Sequence, residues 1–397
     1  MNERSNGAKS FAAFVLRILL LGLLVAVKLP AGQLPVEKLP RAVWQIGLVD
    51  SSGGNYSSLR IDRYGNAHLA YVDSENAVLK YSFWDHNLQK WFTTSLDRSQ
   101  GFCSLTLDSK QFPHISYLDY GTGKLKYAHW DGSTWQKAAI EISAKEISFY
   151  TSIALDSKDQ PSISFYEYFS AGGDNDLHLR VVSWNGSMWE LRTADNTRGS
   201  GKFNSIAVDS AGNPQVAYAD VAYENSSLRY ARWNGGSWHT AVLEGADGPK
   251  YMHSVSLLLD SKDIPHIAYT DAGTNQVKYA TQRDGKWQFE LVDSLEREAF
   301  PDRNGIALDE QGNPYISYCD AGRNEVRVAY RKDQKWMAEI VDKGVPCYTS
   351  SVQVAHGTIW VTYGAGSQGL KVARKNTGNP DAASQEQTVS QQRQPAP

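Results

Sequence analysis

Tryptophans recur in this chain with a fixed partner, because seven of them are each followed six residues later by a carboxylate. The pairs are Trp44/Asp50, Trp91/Asp97, Trp135/Glu141, Trp189/Asp195, Trp238/Glu244, Trp287/Asp293 and Trp336/Asp342. A fixed internal period is the signature of a repeat architecture and constrains the fold more than any single motif. The first pair stands alone ahead of the first complete repeat, and the last repeat lacks a pair. Such a chain can close into a ring.

One repeat, residues 152–195, shows what each unit contains. It opens with small and large residues in alternation, as a half-buried strand does, and an Asp-to-Pro turn leads into a second strand. A third strand, a hairpin turn at Asn185-Gly186 and a fourth strand beginning at Trp189 complete it. Each unit is therefore predicted to be a four-stranded antiparallel meander.

The first-strand acid of this unit recurs at spacings of 46 to 53 residues, close to the length of a propeller blade. The pattern predicts an all-β fold, a seven-bladed β-propeller of four-stranded blades. Residues 350–375 supply three strands of the last blade, and residues 42–50 supply the fourth. A β-solenoid is the alternative architecture, but it does not need the missing strand at the other end of the chain.

The N-terminus has the pattern of a targeting segment. Basic residues precede the apolar run 18–27, and the small pair Ala31-Gly32 follows. This predicts a secretory signal over residues 1–31. The alternative, a signal anchor over 11–27, would place Arg17 inside the bilayer, so membrane contact is expected only if the segment is not cleaved. We expect an exported protein, secreted or held in the cell envelope.

The remaining chain divides into three parts. A linker over 32–41 precedes the propeller, which is predicted to span 42–375. The tail 376–397 is rich in Gln, Ser, Ala and Pro and has no apolar periodicity, so we expect it to be disordered. We expect a monomer.

Composition narrows the function. The net charge is −3, which gives no basic surplus for nucleic acid. The three cysteines form no CxxC motif, so neither a cofactor nor a structural metal is predicted. Cys319 and Cys347 would make a disulfide in an exported protein and leave Cys103 unpaired. The run 174–176, Asp-Asn-Asp, is a weak calcium signal.

Propeller topology places the ends of the second strands and the starts of the first strands on one face, around the central channel. We hypothesise a ligand-binding mouth there, built from aromatic faces and carboxylate acceptors as in carbohydrate sites. The aromatic candidates are Tyr56, Phe102, Tyr150, Phe203, Tyr251, His253 and Tyr348, and the acidic candidates are Asp73, Asp119, Glu167, Asp220, Asp271 and Asp320.

A structural interpretation competes with this one. An acid that recurs in nearly every blade can satisfy the backbone of its neighbour, and a lone histidine such as His253 is more often a loop residue than a catalytic base. The repeated tryptophans are predicted to pack between blades, with their acids paired to bases in the connecting loops.

The repeated segments resemble those of exported bacterial β-propellers over residues 42–375. They carry Ser-Ile-Ala-Leu-Asp, a Tyr-x-Asp triplet and a Leu-Lys-Tyr strand before an Asn-Gly-x-x-Trp hairpin. Sialidase-type propellers are similar in the Gly-x-x-Trp of their Asp-box turns, which the segment 130–135 retains without the matching Asp. Lectin propellers look similar in their short Gly/Ser/Trp hairpins, and this resemblance implies sugar sites between blades.

Three functions remain open on the sequence. The first is a non-enzymatic module that binds a glycan or a protein on the channel face. The second is a polysaccharide hydrolase or lyase that uses a carboxylate such as Asp119, Glu167 or Asp220 as acid or base, which requires a carboxylate pair with one raised pKa. The third is a structural scaffold of the envelope.

Overall fold

The structure is a computed structural model, and it describes residues 43–119, 121–141, 146–171, 174–222, 225–245, 252–296 and 303–377. Its 28 strands form seven sheets of four antiparallel strands, as predicted. Blade 1 comprises β2 (Asn55–Ile61), β3 (Ala67–Asp73), β4 (Val78–Asp85) and β5 (Lys90–Arg98). Blade 2 comprises β6 (Cys103–Leu107), β7 (Pro113–Asp119), β8 (Lys124–Trp130) and β9 (Trp135–Ala139).

The next four blades repeat this arrangement. Blade 3 comprises β10 (Glu146–Leu155), β11 (Pro161–Ala171), β12 (Asp174–Trp184) and β13 (Trp189–Asp195). Blade 4 comprises β14 (Ser200–Val208), β15 (Pro214–Ala222), β16 (Asn225–Trp233) and β17 (Trp238–Glu244). Blade 5 comprises β18 (Met252–Leu259), β19 (Pro265–Asp271), β20 (Gln276–Arg283) and β21 (Lys286–Ser294). Blade 6 comprises β22 (Gly305–Leu308), β23 (Pro314–Asp320), β24 (Glu325–Lys332) and β25 (Lys335–Lys343).

The seventh blade joins the two ends of the propeller. Its inner strands are β26 (Ser350–Ala355), β27 (Thr358–Gly364) and β28 (Leu370–Asn376), and its outer strand is β1 (Gln45–Asp50). Strand β1 pairs antiparallel with β28, from Gln45 opposite Arg374 to Asp50 opposite Leu370. The predicted split blade is confirmed, and β28 runs one residue into the segment predicted as the tail.

The hydrophobic core lies between the blades. Seven buried clusters each draw on two neighbouring sheets, so the ring is held by packing across every interface. Each repeated tryptophan packs against one of these clusters, as predicted. Trp135 meets the ring of Tyr81 in the preceding blade at a centroid distance of 5.0 Å, and Trp189 meets Tyr127 in the same way at 5.4 Å.

The turns after the first strands follow the sequence pattern. In blade 1 an oxygen of Asp62 accepts the N–H groups of Tyr64 and Asn66, each at 2.8 Å, which closes the turn before β3. These turns mark the face opposite to the channel mouth.

Cys319, next to the end of β23, forms a disulfide with Cys347 in the connection to β26; the two Cα atoms are 5.5 Å apart. Cys103 is a free thiol and is buried. Within the described ranges no helix has the length and apolar character to cross a bilayer. The predicted signal over 1–31, the linker over 32–41 and nearly all of the tail lie outside the described residues.

Candidate functional site: the channel mouth

Six candidate acids lie at or near the ends of the second strands of blades 1 to 6, and all of them are buried in ion pairs. In blade 1 the Lys80 ammonium lies 2.9 Å from a carboxylate oxygen of Asp73 and 2.9 Å from one of Asp50, which ends β1 in the neighbouring blade. A lysine or arginine pairs with each of the other five acids, and in blades 2, 4 and 5 it also reaches an acid of the neighbouring blade. The pairs are Asp119–Lys126, Glu167–Arg180, Asp220–Arg229, Asp271–Lys278 and Asp320–Arg323.

The acids six residues after the tryptophans receive a second donor from the next blade. The Tyr71 hydroxyl donates to Asp50 at 2.6 Å, and the Tyr218 hydroxyl donates to Asp195 at 2.6 Å. The same bond recurs at four further interfaces, as Tyr117–Asp97, Tyr269–Glu244, Tyr318–Asp293 and Tyr363–Asp342. We call these tyrosines, their acids and the third-strand bases the interblade clamp.

The clamp corrects one expectation. We predicted that the outer acids pair with bases in the connecting loops, and the structure pairs them instead with the third-strand base of the next blade. Lys126, for example, lies 3.2 Å from Asp97. The reason is geometric. The fourth strand of one blade ends beside the next sheet, at the corner where the second strand of that sheet ends and its third strand begins.

Blade 3 departs from the clamp. Phe165 stands where six other blades have tyrosine, so it has no hydroxyl to donate. Glu141, the acid that would receive this bond, is exposed and pairs with the exposed Lys124 at 3.3 Å. Arg180 binds Glu167 within the same blade. The tyrosine and its buried acid are therefore lost together at this interface.

Donors in the clamp hold its carboxylates ionised. Burial by itself would raise the pKa of Asp97, but hydrogen bonds from Tyr117, the Arg98 backbone and Lys126 outweigh it and lower the pKa. The pKa of Asp220 shifts in the opposite direction. Its burial outweighs the charge of Arg229, so its pKa is raised, and its Oδ1 has no hydrogen-bond partner among the described residues.

The aromatic candidates at the starts of the first strands form a continuous wall. Five rings from five consecutive blades follow one another at centroid distances of 3.9, 4.2, 4.6 and 4.7 Å. We call this wall the aromatic crescent; in order around the channel it contains Tyr56, Phe102, Tyr150, Phe203 and His253. Phe102 and Phe203 are buried, whereas Tyr56 and Tyr150 remain half-exposed.

Bulges in the innermost strands place these rings. The pairing registers of β2, β10, β14 and β18 each shift at the residues that carry or flank the crescent. Tyr56 and Phe203 adopt φ of 56° and 50°, in the left-handed region that side chains rarely enter. Such a conformation costs about 1–3 kcal/mol and is concentrated at ligand sites, where bulges re-aim side chains.

Two aromatic candidates stand apart. Tyr348 is 55% exposed and takes no part in the crescent. Tyr251 lies outside the described residues, as do the side chains of 174–176 that carry the calcium prediction. Among the described side chains, no group of three or more His, Cys, Asp or Glu could hold a metal ion.

Blade 6 contributes a guanidinium instead of a ring. The Nη1 of Arg303 donates to the carbonyl oxygen of Cys103 at 2.8 Å. Cys103 begins β6 in blade 2, which is not a neighbour of blade 6, so the side chain reaches across the channel. Burial lowers the pKa of Arg303, and it raises that of the Cys103 thiol to about 12.

Two further cations line the same channel. Arg60 lies on the innermost strand β2, and burial together with the charge of Arg303 lowers its pKa to about 10. Lys202, at the other end of the crescent, also has its pKa lowered by burial. Burial and the Lys202 charge lower the pKa of His253 to about 4, so this imidazole is neutral at pH 7. Sequence reasoning did not bring Arg60, Lys202 and Arg303 together around one channel, because they obey no repeat.

The serines of the Ser-Ile-Ala-Leu-Asp segments were also missed, since they read as ordinary strand residues. The Ser58 hydroxyl accepts the backbone N–H of Leu105 in the next blade at 3.0 Å, and Ser205 does the same for Leu257 at 3.0 Å. Blade 6 has Gly305 at this position. A Cβ there would lie 2.6 Å from the backbone nitrogen of Val352, so only glycine allows the close approach of β22 and β26.

Comparison with protein-family models and with curated proteins finds no match to this sequence. Solved structures do match. An ulvan lyase of a polysaccharide lyase family, bound to a GlcA(1-4)Rha3S unit, superposes with a TM-score of 0.58 at 12% identity, over 85% of this chain and 98% of that chain. A variant of Aleuria aurantia lectin, in complex with Fucα1-6GlcNAc, has a TM-score of 0.50 at 13% identity, over 75% and 98%.

A Hadza microbial sialidase has a TM-score of 0.48 at 10% identity, over 75% of this chain and 73% of that chain. At these identities the likeness to the lyase and the lectin shows the fold alone. The seven-bladed propeller and its distant similarity to lectin propellers are what the comparisons support.

Proposed function

We propose that the protein is a glycan-binding propeller whose ligand packs on the aromatic crescent at the channel mouth. The observation that carries the proposal is the continuous wall of five rings, aimed by register shifts and by two residues with positive φ. Aromatic faces stack on the apolar faces of sugar rings, and tyrosine hydroxyls add directional hydrogen bonds. Propellers of similar fold that were solved with saccharides support the same class of ligand.

The six acids of the second strands do not enter this proposal as contacts. Each is buried and paired with a lysine or arginine, which leaves little of the carboxylate for a ligand. They support the site indirectly, because the clamp fixes the second strands, with which the strands that carry the crescent pair.

A glycan-array screen of the full-length protein tests the proposal. We expect saturable binding to a defined set of saccharides. Changing both Tyr150 and Phe203 to alanine should weaken binding by at least tenfold, since one stacked ring contributes about 1.4 kcal/mol, a factor of ten. The control is Tyr64→Phe, on the opposite face, where the ring is exposed.

Two results would count against the proposal. One is binding that the double variant leaves unchanged, which would place the glycan elsewhere. The other is the absence of glycan binding, which would favour a protein partner or a structural role in the envelope.

A second candidate is a polysaccharide-active enzyme, favoured by Asp220. This carboxyl group has a raised pKa, shares Arg229 with Asp195, and keeps one buried oxygen that accepts no hydrogen bond from the part of the chain that the structure describes. An acid catalyst needs such a carboxyl group beside an ionised one. Release of reducing ends or of unsaturated products from polysaccharides, lost in Asp220→Asn, would support it. Binding without turnover would leave the non-enzymatic module.

We also propose that the protein acts outside the cytoplasm. The secretory pattern of residues 1–31 supports this, and so does the Cys319–Cys347 disulfide, since disulfides persist in oxidising compartments. Fractionation of cells that express the full chain, with N-terminal sequencing of the product, tests it. Recovery of the uncleaved protein in the cytoplasm would contradict it.

A further inference from the structure

Charge is balanced in the clamp and unbalanced in the channel. Lys80, Lys126 and Arg229 each lie between two carboxylates. In the described part of the chain, Arg60 and Arg303 donate only to backbone carbonyls, at 2.8 Å in each case, and Lys202 has no ion pair. Among the described residues, these three cations around the axis have no carboxylate partner.

This arrangement costs free energy in the absence of an anion. Taking a cation out of water is unfavourable unless an opposite charge accompanies it, and two cations near each other add repulsion. Arg60 experiences both effects, since burial and the charge of Arg303 act on it in the same direction. An anion between the two guanidinium groups would relieve both.

We infer that the saccharide bound by the crescent is anionic, and that its carboxylate or sulfate group binds Arg60 and Arg303 while its sugar rings pack on the aromatic wall. The inference rests on the proposed glycan binding and narrows its ligand class. Guanidinium groups suit both anions, because their planar forks donate two parallel hydrogen bonds to a carboxylate or a sulfate oxygen pair.

The cations lie towards both ends of the crescent. Arg303 donates to the carbonyl oxygen of Cys103, the residue after Phe102, and Arg60 lies on β2, the strand that carries Tyr56. Lys202 directly precedes Phe203 and lowers the pKa of His253 at the other end. A ligand that follows the wall from blade 1 to blade 4 would meet a charge at each end. This favours an oligosaccharide with more than one anionic residue, and Lys202 acts as its second point of attachment.

Matched ligand pairs test the inference. Calorimetric titration of the full-length protein would compare oligogalacturonate with its fully methyl-esterified form, which differs only in charge, and a sulfated dextran oligomer with its unsulfated parent. We expect the charged member of at least one pair to bind tenfold or more tightly, with affinity that falls as salt rises. The pair that discriminates identifies a carboxylate or a sulfate as the anion.

Substitutions assign the effect to the channel. Arg303→Gln and Arg60→Gln should each weaken binding of the charged ligand about tenfold, and Lys202→Gln should weaken it less. Arg303→Lys should restore part of the loss, which separates charge from a folding defect. The control is Lys110→Gln, an exposed lysine in a turn on the opposite face.

A second measurement does not depend on the sugar. Inorganic sulfate at low millimolar concentration, compared with chloride at equal ionic strength, should raise the thermal midpoint of the wild type more than that of Arg303→Gln, since sulfate also stabilises folded proteins non-specifically. Equal affinity for charged and uncharged saccharides, together with the same sulfate effect in both proteins, would overturn the inference. If neutral saccharides then still bind through Tyr150 and Phe203, the proposed function stands without it; if none binds, both fail.

Discussion

The interblade clamp and the channel lining lie on the same face of the propeller, yet they are built by opposite rules. The clamp repeats from blade to blade, and its carboxylates have a lysine or arginine and a tyrosine as partners. The channel lining changes from blade to blade, with rings in blades 1 to 5 and an arginine in blade 6. Its cations have no carboxylate partner within the described ranges.

The difference teaches where function can be located in a repeat protein. A residue type that recurs in every unit is selected by the contact that every unit makes, which is the interface with its neighbour. A residue that departs from the repeat, and that has a strained backbone or an uncompensated charge, is not explained by this contact. The clamp is therefore expected to govern stability, and the channel lining to govern binding.

The largest expected effect comes from removing a clamp base. Lys80→Met leaves Asp50 and Asp73 without their shared cation, and Asp73 is fully buried. Breaking a buried pair in this way costs about 3 kcal/mol. Urea unfolding should show this loss, whereas Lys124→Met, which breaks the exposed pair with Glu141, should change the free energy of unfolding by less than about 0.5 kcal/mol. Equal losses in the two variants would contradict the claim that the buried pairs of the clamp stabilise the fold more than an exposed pair does.

A clamp tyrosine should matter somewhat less. Tyr218→Phe removes the 2.6 Å hydrogen bond to the buried Asp195 and recreates the condition found at Phe165. A hydrogen bond to a charged group contributes about 2 kcal/mol, so the free energy of unfolding should fall by that amount. The exposed Tyr64→Phe is the control. A loss no greater than that of the control would show that the clamp is an incidental contact.

Acidification should act on the channel through His253. Its pKa is about 4 in the folded protein, below the value of about 6.5 expected when unfolded, so the unfolded state binds more protons. Stability is therefore lost as the pH falls from about 6.5 towards 4. His253→Gln should reduce the loss measured at pH 5 by about 2 kcal/mol, while the exposed His239→Gln should not. An unchanged pH profile would show that this imidazole is not held neutral.

The smallest expected change in the free energy of unfolding comes from substituting Lys202, and it should not share the destabilising sign of the Lys80 substitution. Lys202 is half-buried, its pKa is lowered by burial, and it has no ion pair in the described structure. Lys202→Met should therefore leave stability unchanged or raise it, by no more than about 1 kcal/mol. A clear destabilisation in thermal unfolding would mean that Lys202 belongs to the scaffold and would weaken the case for an anion site.

The sequence predicts the propeller well because every repeat carries the strand and turn pattern of one blade. Trp44 and Asp50, standing alone at one end, predict the split blade, and the pairing of Gln45 with Arg374 agrees. The disulfide partners also follow from their places in the repeat. The repeat pattern does not predict the register shifts inside β2 and β14, because a bulge alters strand pairing without requiring a particular residue type.

The site is predicted less completely. Aromatic residues at strand starts identify the crescent, but position alone does not tell that Tyr348 stays apart while Tyr150 joins it. The repeat pattern does not predict the contact of Arg303 with Cys103, because it joins residues 200 apart in sequence on opposite sides of the ring. The second-strand acids, in contrast, are conspicuous in sequence but are buried and paired with a lysine or arginine in the structure.

One experiment tests the central claim that the channel lining binds and the clamp holds the fold. The glycan selected by the array would be titrated into the wild type, the Tyr150/Phe203 double alanine variant and Tyr218→Phe, with thermal midpoints measured on the same samples. We predict that the double variant loses affinity at least tenfold, and that Tyr218→Phe melts earlier but binds as the wild type does. The reverse pattern, with affinity lost in Tyr218→Phe and kept in the double variant, would contradict the account.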